Sequence, residues 1–67
     1  MEITFNKQKQ SVEAQTSVQS LLKEKFGDKQ NGIAVAINQN IVPKKLWVTY
    51  VLQPNDQVLV ITATQGG

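Results

Sequence analysis

The chain has 67 residues, a net charge of +2 whose basic side is entirely lysine, and neither Cys nor His. A single domain of this size buries only about 60% of its unfolded surface, so the core must be compact, and no disulfide reinforces it. Without imidazole or thiol the chain has no side-chain base that titrates near neutral pH, no thiolate nucleophile and no side-chain carrier of persulfide sulfur.

Met1, Ile3 and Phe5 alternate with Glu2, Thr4 and Asn6, which predicts a strand with one buried face. Asn6-Lys7-Gln8 is read as a turn. Val12 and Ala14 alternate with Ser11 and Glu13, so residues 9–14 are expected to form the second arm of a hairpin. The period then changes. Thr16-Ser17-Val18-Gln19 fits a capping box, with Thr16 as N-cap and Gln19 reaching back. Val18, Leu21, Leu22 and Phe26 form one apolar stripe at helical spacing, and Gly27 stands where a left-handed residue ends a helix. The helix is predicted over 17–26.

Ile33-Ala34-Val35-Ala36-Ile37 is apolar on both faces, as in an interior strand or one that also meets a partner. Asn38-Gln39-Asn40 is a turn cluster. Ile41-Val42 leads to Pro43, which opens a short helical turn through Trp47. An extended piece near 49–52 and a turn at Pro54-Asn55-Asp56 precede a last strand over 57–64.

This order predicts an α+β domain, a mixed sheet with one main helix packed on one face. The apolar terminal strands are expected to be its central pair, adjacent and parallel, which is a β-grasp or ubiquitin-like arrangement. Phe5, Val18, Leu22, Val35 and Ile37 are expected to share one core. In the last strand Val58 and Val60 would face the helix. Leu59 and Ile61 would then point outward near Thr4, as an apolar patch for a partner. Trp47 is assigned to the edge of the core, while Tyr50 fits either the core or an interface.

Chemistry has few places to reside. Glu2, Glu13, Glu24, Asp28 and Asp56 are scattered without the spacing of a metal site or an acid/base pair. Glycines at 27, 32, 66 and 67 make no phosphate loop. The chain is therefore not expected to be an enzyme in its own right. Lysines spread along the chain, with aromatics only at Phe5, Phe26, Trp47 and Tyr50, argue against nucleic acid. No stretch has the length of a membrane span, and Met1 to Gln10 lacks the apolar run of a signal peptide. A monomer in the cytoplasm, or in a plastid or organellar stroma, and not secreted, is the expectation.

Gly66-Gly67 ends the sequence directly after a strand-forming run. Two glycines add no side chain and tolerate positive φ, so such an end can thread a narrow channel. A flexible tail over 64–67 is expected, with Gly67 as the reactive residue. Thr64 through Gly67, extended, reach about 13–14 Å. Gln65 fits a main-chain contact in a partner's channel or a solvated linker.

Taken in order, the residues resemble the small sulfur carriers of thiamine biosynthesis, the ThiS family. The resemblance covers nearly the whole of residues 1–67. It rests on Ile3-Thr4-Phe5-Asn6, on Val18 with Leu21-Leu22, on Ala34-Val35-Ala36-Ile37-Asn38-Gln39-Asn40-Ile41-Val42-Pro43, on Trp47, on Asp56-Gln57-Val58 and on Gly66-Gly67. It implies that a ThiF-like adenylating enzyme, holding ATP and Mg²⁺, activates the Gly67 carboxylate. A cysteine desulfurase route then supplies sulfur for a thiocarboxylate, and thiazole synthase consumes it. The chain itself would bind no cofactor. Two relatives of the reading share the activation step: a ubiquitin-like modifier that joins a target lysine, and a molybdopterin-synthase-type sulfur carrier. A β-grasp binding module without terminal chemistry is the alternative of another class.

Overall fold

The computed structural model describes residues 1–27 and 32–62. Strand β1 (Glu2–Phe5) turns into β2 (Gln8–Ser11) as an antiparallel hairpin, with Ile3 opposite Gln10 and Phe5 opposite Gln8. The turn is shorter than predicted. Asn6 and Lys7 take φ of 48° and 71°, so two residues suffice and Gln8 already belongs to β2. Paired left-handed residues match the twist of the two strands, which is why such turns are tight. The second arm also ends earlier than residue 14. Beyond Ser11 only Val12 continues the pairing, exchanging bonds of 2.7 and 2.8 Å with the main chain of Met1.

Helix α1 spans Val18–Phe26 and is capped by Ser17, not Thr16. Ser17 has extended φ and ψ, and its Oγ accepts the Ser20 N–H at 3.1 Å. The Thr16 hydroxyl instead donates to the Glu13 carbonyl at 2.7 Å, and the Thr16 carbonyl accepts the Leu52 N–H at 2.8 Å. Adjacent hydroxyls at 16 and 17 made the capping pattern ambiguous by one residue. The other amides at the start of the helix reach across to a distant loop. Val18 N–H donates to the Tyr50 carbonyl at 2.9 Å and Gln19 N–H to that of Trp47 at 3.0 Å. Such amides lack intrahelical partners and must find others. The helix ends at Gly27, whose φ of 61° is one that side chains other than glycine rarely adopt.

Strand β3 (Ile33–Ile37) turns through Asn38 and Gln39, again both at positive φ, into the short β4 (Asn40–Ile41). Asn40 thus lies in a strand and not in the predicted turn. A 3₁₀ turn at Lys44–Leu46 follows Pro43, as expected. The piece near 49–52 contributes a single antiparallel bridge, Val51 with Ser17. Strand β5 (Gln57–Thr62) is the last described element; positions 63 and 64 of the predicted strand lie outside the described residues.

The sheet order is β2-β1-β5-β3-β4. β5 lies parallel to β1 and antiparallel to β3, so strands from the two ends of the sequence form the centre. Helix α1 covers one face. Its Val18, Leu21 and Leu22 are buried with Ile3, Val35, Ile37, Val58 and Val60. Each fully buried aliphatic side chain contributes about 1.5–3 kcal/mol. Val42, Trp47 and Leu52 close the end of this core. Trp47 is 1% exposed, and its Nε1–H donates to the Val42 carbonyl at 2.9 Å. It lies within the core and not at its edge, while Tyr50 is half-buried against it. Phe5 differs from expectation: it is half-buried beside the core, with Lys25 Nζ 5.2 Å from its ring centre. A mixed five-stranded sheet with one helix on one face and a parallel central pair is the β-grasp fold. Among the described residues no helix is long and apolar enough to cross a membrane.

Candidate functional site

The face of the sheet away from α1 is set by register. Ala34 pairs with Ile61, and Ala36 pairs with both Leu59 and Ile41, so these five residues share that face. Val35 with Val60, and Ile37 with Val58, share the other. Burial follows the same division. Val58 and Val60 are covered, whereas Leu59 is 43%, Ile61 54% and Ile41 68% exposed. The faces of β5 are therefore as the alternation predicts, and Ile41 extends the apolar row across three strands.

Thr4 stands on β1 beside this row. With Lys7, Ala36, Gln39, Gln57, Val58 and Leu59 it lines a shallow cavity of about 170 Å³. Small-molecule sites usually occupy roughly 300–1,000 Å³, so this hollow suits a side chain better than a nucleotide. Thr4 is thus near Leu59, as expected. Thr64, Gln65, Gly66 and Gly67 lie outside the described residues. Leu46, Val48 and Val51 are also exposed apolar residues, which was not anticipated.

The start and the middle of β5 are secured by side chains that the sequence presents only as turn formers. At its start, Asp56 is 7% exposed. Its Oδ1 accepts Asn38 Nδ2–H at 2.9 Å and its Oδ2 accepts the Gln53 N–H at 2.8 Å. Asn38 Oδ1 in turn accepts the Gln57 N–H at 3.0 Å. The β3–β4 turn is thereby tied to the first residue of β5. Further along, Asn6 N–H donates to the Val58 carbonyl and Asn6 Oδ1 accepts the Val60 N–H, each at 2.8 Å. Asparagine at a predicted turn was the one local signal; the partners are distant in sequence and could not be read from it.

Among the described residues no group of three or more His, Cys, Asp or Glu could hold a metal ion, and no buried side-chain polar atom lacks a hydrogen-bond partner. The body offers a last strand paired on both sides, at the centre of a five-stranded mixed sheet that carries one helix on one face and an exposed apolar row on the other. That defines a β-grasp domain of the ubiquitin-like kind. The model of the ThiS family matches residues 1–67, and the chain belongs to that family. It is 40% identical over 67 residues to the sulfur carrier protein ThiS of Escherichia coli (strain K12), covering 100% of both chains. Among solved structures it resembles the thiamine biosynthesis protein (ThiS) from Geobacter metallireducens, with a TM-score of 0.86 over 100% of both chains. Sequence identity there is 19%, so this likeness bears on the fold.

Proposed function

We propose that this chain is a sulfur carrier of thiamine biosynthesis and that Gly67 carries the sulfur. The observation that supports the reading is the match to a relative named as a sulfur carrier over the full length of both chains, through Gly66-Gly67. A C-terminal carboxyl has an ordinary pKa of about 3.3–3.7, so at neutral pH it is an anion. The anion attacks phosphorus readily but is a poor acyl electrophile. An adenylating partner of the ThiF kind, which holds ATP and Mg²⁺, lets a carboxylate oxygen attack the α-phosphorus. Pyrophosphate leaves and an acyl-adenylate forms.

The terminal sulfur of a protein persulfide, supplied by a cysteine desulfurase directly or through a relay cysteine, then attacks the acyl carbon, and AMP leaves. A thiol cleaves the resulting S–S bond and is itself oxidised to a disulfide. The Gly67 thiocarboxylate remains, and thiazole synthase takes its sulfur. In this scheme the chain is a co-substrate, and every catalytic group belongs to a partner. Leu59, Ile61 and Thr4 form the docking face. Gly66, Gln65 and Thr64 carry the carboxylate into the partner's channel. Such thiol chemistry suits a reducing compartment, the cytoplasm or an organellar stroma.

The test is intact-mass measurement after incubation with a matched adenylating enzyme, MgATP and a persulfide donor. An oxygen-to-sulfur exchange supports the reading. A covalent adduct to another protein replaces it with the modifier, and no change in mass overturns it.

A further inference from the structure

The paired bonds of Asn6 have a specific geometry. In a parallel ladder a strand residue donates its N–H to one residue of the neighbour and accepts, through its carbonyl, the N–H two residues further on. Asn6 makes this pattern with β5, donating to Val58 and accepting from Val60, each at 2.8 Å. Its acceptor, however, is the side-chain Oδ1. The main chain is at φ 48° and has already entered the hairpin turn. Asparagine tolerates this conformation better than most residues. One side chain therefore extends the β1–β5 pairing past the end of β1, opposite Leu59.

This fixes where β5 is last held on both sides. On the β3 side the pairing continues to Thr62 opposite Ile33. On the β1 side the last anchor is Val60, through Asn6 Oδ1. From Val60 to Gly67 is 67 − 60 = 7 residues. Without the side chain the last two-sided anchor moves back to Val58. The pairing with β3 still runs to Thr62, so the tail gains no length; what changes is its direction, because β5 beyond Val58 can pivot about its β3 edge. In-line attack on phosphorus needs near-contact geometry, and even ~1 Å of misplacement can cost about a hundredfold.

We propose that Asn6 is a positioning residue for the chemistry at the chain's end: its Oδ1 stands in for a strand carbonyl, clamps the Val60 N–H, and sets the point from which the terminal residues are presented to the adenylating partner. This rests on the carrier reading above. It concerns turnover and not docking, because Leu59 and Ile61 keep their register with Ala36 and Ala34 on the β3 side.

Two variants separate the roles. Asn6→Gly keeps the N–H to Val58 and accepts positive φ, but has no side-chain acceptor. Asn6→Asp keeps an oxygen at the same reach. The readouts are amide exchange at Val60 by NMR, and kcat and KM for pyrophosphate release by a matched adenylating enzyme. In Asn6→Gly, Val60 exchange should rise about tenfold or more and kcat should fall about tenfold or more, with KM near that of the parent. Asn6→Asp should restore both. Asn6→Gly with parental kcat, or with KM alone raised, overturns the proposal, as does an Asn6→Asp protein as slow as Asn6→Gly. An Asn6→Gly protein that no longer folds makes the bond purely structural and also overturns it. A parent protein that is never adenylated overturns the carrier reading, and this inference with it.

Discussion

Leu59 lies beside Ala36 in the antiparallel β3–β5 register, on the sheet face that α1 leaves uncovered. The small alanine leaves the leucine side chain standing proud of the sheet, at the edge of the hollow that Thr4 and Lys7 also line. Replacing Leu59 by Glu puts a charge into this face without touching the core. Surface changes of this kind usually alter stability by no more than about 0.5 kcal/mol. Affinity for the proposed adenylating partner should fall about tenfold or more, equivalent to about 1.4 kcal/mol. Titration calorimetry beside a thermal melt reads the two effects separately.

Trp47 predicts the opposite behaviour. It is fully buried and its indole N–H satisfies the Val42 carbonyl. Truncating a buried Trp to Ala costs about 3–5 kcal/mol. For 67 residues, total stability is expected near about 3–10 kcal/mol. Trp47→Ala should therefore be largely unfolded or close to it at 37 °C, as read by urea denaturation. Trp47→Phe should keep the fold but lose about 1–3 kcal/mol, since a buried carbonyl loses its donor.

The helix cap gives a finer test. Ser17→Ala removes the acceptor for the Ser20 N–H and should cost about 0.5–2 kcal/mol. Thr16→Ala removes only an exposed side-chain bond to Glu13 and should cost less. Equal losses in chemical denaturation would return the cap to Thr16.

The terminal glycines should separate chemistry from stability. Among the described residues the core cluster extends along β5 no further than Val60, so deletion of Gly67 or Gly66→Val is expected to leave stability near that of the parent. Deletion of Gly67 moves the carboxylate back by roughly 3.3–3.6 Å. Gly66→Val adds a branched side chain and removes access to positive φ. Both variants should melt with the parent and fail to accept sulfur, as judged by intact mass.

How much of this the sequence disclosed depends on range. Alternation at Ile3 and Phe5 and the apolar run 58–61 revealed both central strands; that run is apolar on both sides, so burial in the folded sheet, not the sequence, decides that Val58 and Val60 face the helix. The stripe Val18, Leu21, Leu22 and Phe26 gave the helix for the same periodic reason. Ends were less legible. Thr16 and Ser17 offer identical hydroxyls, and only the loop at Trp47 and Tyr50, which takes the first helical amides, decides between them. The ties of Asn6 to Val60 and of Asn38 to Asp56 were invisible. An asparagine in a turn advertises its backbone conformation, but not which remote amide its side chain will meet. Phe5 fits the strand pattern yet is only half-buried beside the core, with the Lys25 ammonium over its ring.

The slot that β5 fills, between β1 and β3, bears on how the protein is made. A chain still on the ribosome, with residues 57–62 in the exit tunnel, has β1 and β3 but nothing to join them into one sheet. Pairing between the two ends of a sequence is the slowest kind to form. Folding therefore cannot be completed before β5 is available, and a product broken off before residue 57 lacks the strand that joins β1 to β3.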